Sequence, residues 1–227
     1  DLLLAMAGSI DVEKLQNTMD RYATKDMRGM GPQLEQMTGM GSDSIWKAFT
    51  GDFVIAINGA EEGGILPVEA FIGFGLKDET IQKNIMGTVQ GMVPVEEEGD
   101  FFVIKSNGIE LYSGLVKGVW VVTNARGYKD AIGDGGLEAS LKDSRFSDYA
   151  GGSMAMYMNL DMTTYPAQLQ AMVSQNPDQK EMLEAIASSF TSMGIEARQY
   201  ESDMTLVTSK SDENSLYTIM QMTEKEE

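Results

Sequence analysis

The nearest approach to a nucleophile with its base is Ser44-Ile-Trp-Lys47. In a Ser-x-x-Lys site the lysine amine can take the serine proton for acyl transfer. The Ser-Asp-Asn and Lys-Thr-Gly companions of that chemistry are missing, and on a short helix the two residues are simply neighbours at i and i+3. Histidine and cysteine are absent altogether. That excludes Ser-His-Asp and Cys-His catalysis within the chain, together with disulfides and zinc–thiolate sites. Carboxylates remain: 35 acidic residues leave paired-carboxyl hydrolysis of the glycosidase kind open, although sequence gives no distance between any two. Asp130, Asp134 and Glu138 lack the alternation of a calcium loop, because Ala131 and Ile132 intervene, and read as a solvated turn. Glu96-Glu97-Glu98 reads as a charged loop before a hairpin. Gly29-Met-Gly31 and Gly73-Phe-Gly75 lack the third glycine and the helix opening of a dinucleotide site. No cofactor is implied.

Methionine is the compositional anomaly, with 18 residues among 227. Met27-x-x-Met30 and Met37-x-x-Met40 have a spacing that thioethers can use to hold Cu(I). Methionine is also an adaptable core filler, and Met154, Met156 and Met158 alternate as core side chains do. For Met27, Met30, Met37 and Met40 a third reading is preferred: a pliable apolar patch, in a Met- and Gly-rich loop, that receives a partner. It requires their sulfurs to be exposed.

The net charge of −18 is uneven, and residues 51–100 carry ten acids against two bases. Without a basic stripe to neutralise phosphates, nucleic acid is disfavoured as a partner, and anionic lipid would repel the chain. The longest apolar stretches, Leu2 to Ala7 and Val119 to Val122, fall far short of the roughly 20 residues a membrane helix needs. A chain opening at Asp1 reads as processed, or as a piece of a longer protein whose membrane anchor, if any, lies upstream.

These residues must be positioned by mixed elements. Leu2 to Ala7 reads as a buried strand, and Asp11 caps a helix bearing Val12, Leu15, Met19 and Tyr22 on one stripe. Within 26–42, Pro32 suits the start of a short helix and Gly39 its end. Ser42 to Phe49 reads as another helix, broken by Gly51. Strands follow around 53–57 and 68–76, then a helix capped at Asp78 with Ile81, Ile85 and Val89 on one face. Asn107-Gly108 favours a type I′ hairpin, which places Lys105 opposite Glu110 and Val103 opposite Tyr112. Val119 to Thr123 adds a third strand. The Gly-rich stretch 127–136 leads to a short helix ending near Tyr149. Ser153 to Leu160 is a strand, followed by a helix through Tyr165 and Leu169. A second helix starts at Asn176-Pro177 and carries Leu183, Ile186 and Phe190. Strands near 195–200, 203–208 and 215–222 close the chain. A weak internal echo pairs Phe53, Ile55 and Ile57 with Met154, Met156 and Met158, and Ile10-Asp11 with Leu160-Asp161. The pattern predicts a single α+β domain over residues 1–227, a mainly antiparallel sheet with helices packed on one side and a possible pseudo-repeat.

Three stretches carry a resemblance: Phe49-Thr-Gly-Asp-Phe-Val-Ile-Ala-Ile-Asn58, the run from Arg145 to Asp161, and Asp212-Glu-Asn-Ser-Leu-Tyr-Thr-Ile-Met220. With these the chain resembles a family of Bacteroidetes envelope lipoproteins known as a domain of unknown function. The resemblance implies a lipoprotein signal upstream and export to the periplasm or outer membrane. It supplies no catalytic residues. The expectation is a non-catalytic envelope module that binds a protein or glycan partner. A carboxylate-based hydrolase and a purely structural half of a larger lipoprotein stand as alternatives.

Overall fold

Runs of alternating apolar residues form ten strands: β1 (Leu2–Ser9), β2 (Phe49–Gly59), β3 (Val68–Leu76), β4 (Val95–Glu98), β5 (Phe101–Ser106), β6 (Ile109–Val116), β7 (Val119–Thr123), β8 (Met154–Asn159), β9 (Phe190–Ala197) and β10 (Ser202–Thr208). They make one sheet in the order β10-β9-β8-β1-β2-β3-β7-β6-β5-β4. The pairs β10–β9, β9–β8, β3–β7, β7–β6, β6–β5 and β5–β4 are antiparallel. Helices are α1 (Val12–Tyr22), α2 (Ser42–Lys47), α3 (Thr80–Gln90), α4 (Arg126–Gly133) and α5 (Ala167–Ser174), with a 3-10 turn at Met162–Thr164. The fold is α+β with a mainly antiparallel sheet. This computed structural model describes residues 2–22, 32, 35, 36, 38–60, 65–133, 146, 148, 152–174, 186–198 and 201–209. Among them no helix is long and apolar enough to cross a membrane. The chain divides into two compact units, one of residues 1–6, 56–69 and 140–227, the other of residues 7–55 and 70–139.

In the second unit the meander β4 to β7 is set by its turns. Asn107 and Gly108 have φ of 52° and 79°, the left-handed pair a type I′ turn needs. The expected register follows: Ser106 faces Ile109, Lys105 faces Glu110 and Val103 faces Tyr112. Lys117-Gly118 turns the same way, with φ of 50° and 78°, and joins β6 to β7. Beneath the sheet, Ile45, Ala48, Leu76 and Ile81 form a buried cluster, with Phe49, Ile85, Leu115 and Trp120 packed on it. Each large aliphatic or phenyl side chain among them contributes about 1.5–3 kcal/mol when removed from water, before entropy is counted. The backbone N–H of Lys14 donates to Asp11 Oδ1 at 3.0 Å, so Asp11 caps α1 as expected. Asp78 Oδ1 likewise accepts from the Thr80 N–H at the start of α3.

Some expectations are corrected. The helix beginning at Ser42 ends at Lys47, and Phe49 already belongs to β2. Gly51 therefore breaks no helix. It sits inside the strand at φ 101°, where any Cβ would collide with the Ile10 carbonyl oxygen, while the Ile10 N–H donates to the Gly51 carbonyl at 3.0 Å. Close backbone approach, not turn formation, demands the glycine. The glycines at 127 and 133 lie in α4 instead of a loop leading to a helix.

In the first unit the buried face of β8 belongs to Ala155 and Tyr157, each 4% exposed, while Met154, Met156 and Met158 are half-buried on the opposite face. Phe190, expected on a helix, begins β9 and is buried. The echo of Ile10-Asp11 in Leu160-Asp161 has a structural counterpart. Asp161 Oδ1 accepts from the Thr163 N–H at 3.0 Å, and the Leu160 N–H donates to the Thr191 carbonyl as Ile10 does to Gly51. The strand expected at 215–222, the helix start at Asn176-Pro177 with Leu183, and the end of a helix at Tyr149 lie outside the described residues.

Candidate functional site

The second unit carries a cleft of about 360 Å³ where the start of α3 faces the β4–β5 turn. Its apolar part is Phe102 and Leu115, both half-buried and on one face of the sheet, while Phe101 lines it from a position whose ring lies on the opposite face, over Gly114. Its rim is charged, with Glu79 and Lys83 from α3 and its flank, and Glu97 and Asp100 from β4 and the turn after it. Gln82 also lines it, although only 3% of that residue is exposed. Its side-chain amide makes no hydrogen bond among the described residues, and no fully enclosed side-chain nitrogen or oxygen there lacks a partner. The little surface Gln82 retains is thus its amide, at the cleft wall.

Two features on the opposite face of the sheet fix the strands that carry the cleft. Gly114 of β6 stands opposite Phe101 of β5, and a Cβ there would come within 2.5 Å of the ring, so the missing side chain is what lets Phe101 lie flat. Beyond it, β4, β6 and α4 are tied by charges around Tyr112, which is 1% exposed. The Tyr112 hydroxyl donates to Glu110 Oε2 and accepts from Arg126 Nε at 3.1 Å. Lys129 Nζ donates to Glu98 Oε2 and lies 5.6 Å from the centre of the Tyr112 ring. Lys105 Nζ reaches Glu96 at 2.6 Å and Glu110 at 4.0 Å. Arg126 lies 3.8 Å from Glu98 and 3.6 Å from Glu110.

The hydrogen bond from Lys129 holds the Glu98 carboxyl below its ordinary range, and the bond from Tyr112 does the same for Glu110. Burial, then the bond to Glu110, raises the Tyr112 phenol. At neutral pH it is a hydrogen-bond donor, not a phenolate nucleophile. The cluster fastens the edge strand β4, only four residues long, to its neighbours.

The residues singled out by sequence fare differently. Met40 is half-buried and packs on the cluster of Ile45, Ala48, Leu76 and Ile81, whereas Met27, Met30 and Met37 lie outside the described residues. Ser44 and Lys47 are both exposed on α2. Asp130 is exposed at the end of α4, 3.9 Å from Lys129, and Asp134 and Glu138 lie outside the described residues. Among the described residues no group of three or more acidic side chains is placed to hold a metal ion. Sequence reasoning passed over Glu79, Gln82 and Asp100. One signal was there: Gln82 interrupts the apolar stripe of α3, next to Ile81 and one turn before Met86, both fully buried. No protein-family model, curated protein or solved structure matches this chain.

Proposed function

We propose that this chain is a non-catalytic module of the cell envelope that works by binding a partner, a protein or a glycan. The observation that supports this reading is the cleft, with an aromatic floor, a charged rim and one buried amide turned toward it. Among the described residues, the carboxyls whose pKa is displaced are Asp11, Asp78, Glu98 and Glu110, all displaced downward by hydrogen-bond donors. A carboxyl acting as general acid is held above its ordinary range instead. The envelope location rests on the resemblance of residues 49–58, 145–161 and 212–220 to the lipoprotein family, which also implies a lipid anchor upstream.

A carboxylate hydrolase is the second reading, favoured by one observation: Glu79 and Asp100 reach the same cleft from different elements. The test is to titrate the purified chain with soluble peptides and oligosaccharides by amide NMR, then to chromatograph the probes after prolonged incubation. Reversible shifts at the cleft with every probe recovered intact are expected. Cleavage of a probe that disappears in Glu79→Gln or Asp100→Asn would establish the hydrolase and end the binding reading. Fractionation of the source cells, probed with an antibody to the chain, tests the location, and recovery outside the envelope refutes it.

A further inference from the structure

Resting on the binding reading, we infer that the cleft receives a basic side chain, lysine or arginine, presented by a protein partner. The argument begins with which charges are already answered. On this part of the sheet Glu96, Glu98 and Glu110 each face a cation of the chain itself, Lys105, Arg126 or Lys129. Glu79, Glu97 and Asp100 have no ion pair among the described residues, and these three line the cleft, with Lys83 the one cationic side chain in its lining. The cleft is thus an uncompensated negative spot on a chain of net charge −18.

Its shape selects the kind of cation. The three carboxylates line the cleft without forming a group placed to hold a metal ion. An organic cation on a stem fits better: the head sits among the carboxylates while the methylenes lie on Phe102 and Leu115. An aromatic floor adds attraction for the charge. The Gln82 amide oxygen, on a residue only 3% exposed and bonded to no described residue, keeps enough surface to accept one N–H of the head group. A volume near 360 Å³ lies at the small end of ligand pockets, enough for one side chain. A neutral sugar would leave the three carboxylates as uncompensated as before.

The experiment titrates the whole chain with acetyl-Gly-Arg-Gly amide, acetyl-Gly-Lys-Gly amide, the same peptide with Gln at its centre, and a neutral disaccharide of N-acetylglucosamine, following amide NMR. The Arg or Lys peptide is expected to shift the Gln82 side-chain amide and the Gly99 and Asp100 N–H signals. Affinity should weaken about tenfold between roughly 20 and 300 mM salt, since exposed charges are screened over that range. It should weaken by about the same factor in Glu97→Gln/Asp100→Asn, strengthen a few-fold in Lys83→Gln, and be lost in Gln82→Leu, whose melting stays at or above that of the native chain. Lys83→Gln changes only an exposed side chain, so its effect is readable even where another variant folds poorly. Equal binding of the Gln peptide, weaker binding in Lys83→Gln, or silence of both basic peptides at the cleft overturns the inference. Saturation by the disaccharide with the basic peptides silent overturns it while leaving the binding reading intact. Cleavage of a probe instead refutes the reading on which it rests.

Discussion

Gly114→Ala asks whether the Phe101 ring, on the face of the sheet opposite Phe102 and Leu115, is as tightly seated as its geometry implies. The added Cβ would stand 2.5, 2.6 and 2.9 Å from Cδ1, Cε1 and Cγ of Phe101. Carbon atoms rest at roughly 3.5–4.0 Å, so the ring must retreat by about 1 Å. The contact is with the near edge of a ring that is 5% exposed and enclosed by the sheet, so retreat disturbs other packing. Overpacking of this kind costs about 1–3 kcal/mol. Replacing a mid-strand glycine by alanine returns about 0.5–1 kcal/mol of backbone entropy. The net expectation is a loss of about 1–2 kcal/mol, read as a lower urea midpoint at unchanged slope. Phe101→Leu alone should cost about 1–2 kcal/mol through lost burial. In the double variant the smaller side chain makes room for the methyl group, so the combined loss should fall short of the sum by at least about 1 kcal/mol. A neutral or stabilising Gly114→Ala, or strict additivity in the pair, would refute the claim that this glycine exists to seat the ring.

Three further outcomes follow from the same unit. Tyr112→Phe removes one hydroxyl that serves both Glu110 and Arg126, and should cost about 1–2 kcal/mol by urea denaturation, because both partners are charged; an unchanged midpoint contradicts this. Glu98 and Glu110 have folded pKa values below the ordinary 4.5, so the unfolded chain takes up their protons first as the solution is acidified. Their contribution is complete above that ordinary value and is lost as pH falls through the lowered folded values. Glu110→Gln should accordingly flatten the fall of Tm with pH on the acid side and leave the neutral range alone, and a change of slope near neutrality would point elsewhere. Gly51→Ala drives a methyl group into the Ile10 carbonyl at a backbone φ of 101°, and should cost about 3 kcal/mol or more or prevent soluble folding. Native-like melting would show that β2 can relax there.

How far the sequence discloses this molecule depends on whether the cause of each feature is local. The hairpin at Asn107-Gly108 is legible down to its register, because two residues suited to positive φ fix the turn and the turn fixes the pairing. The hairpin at Lys117-Gly118 has the same geometry and is nearly silent, since lysine carries no preference for that conformation. Gly51 is misread for the opposite reason. A glycine after a helical run signals a stop, and the Ile10 carbonyl that truly requires it lies 41 residues earlier. The methionines of β8 alternate as expected, yet alternation cannot say which face is better covered, and Tyr157 and Ala155 take the more deeply buried one. The cleft is the limiting case. Its carboxylates come from the residue before a helix, a strand and a turn, and no spacing in the chain announces that they share an opening. What the sequence does hold is Gln82, a polar residue inside an apolar stripe. A core built only for stability would place leucine or methionine there. An amide kept at that depth, bonding no described residue, is the group whose signal the basic-peptide titration follows.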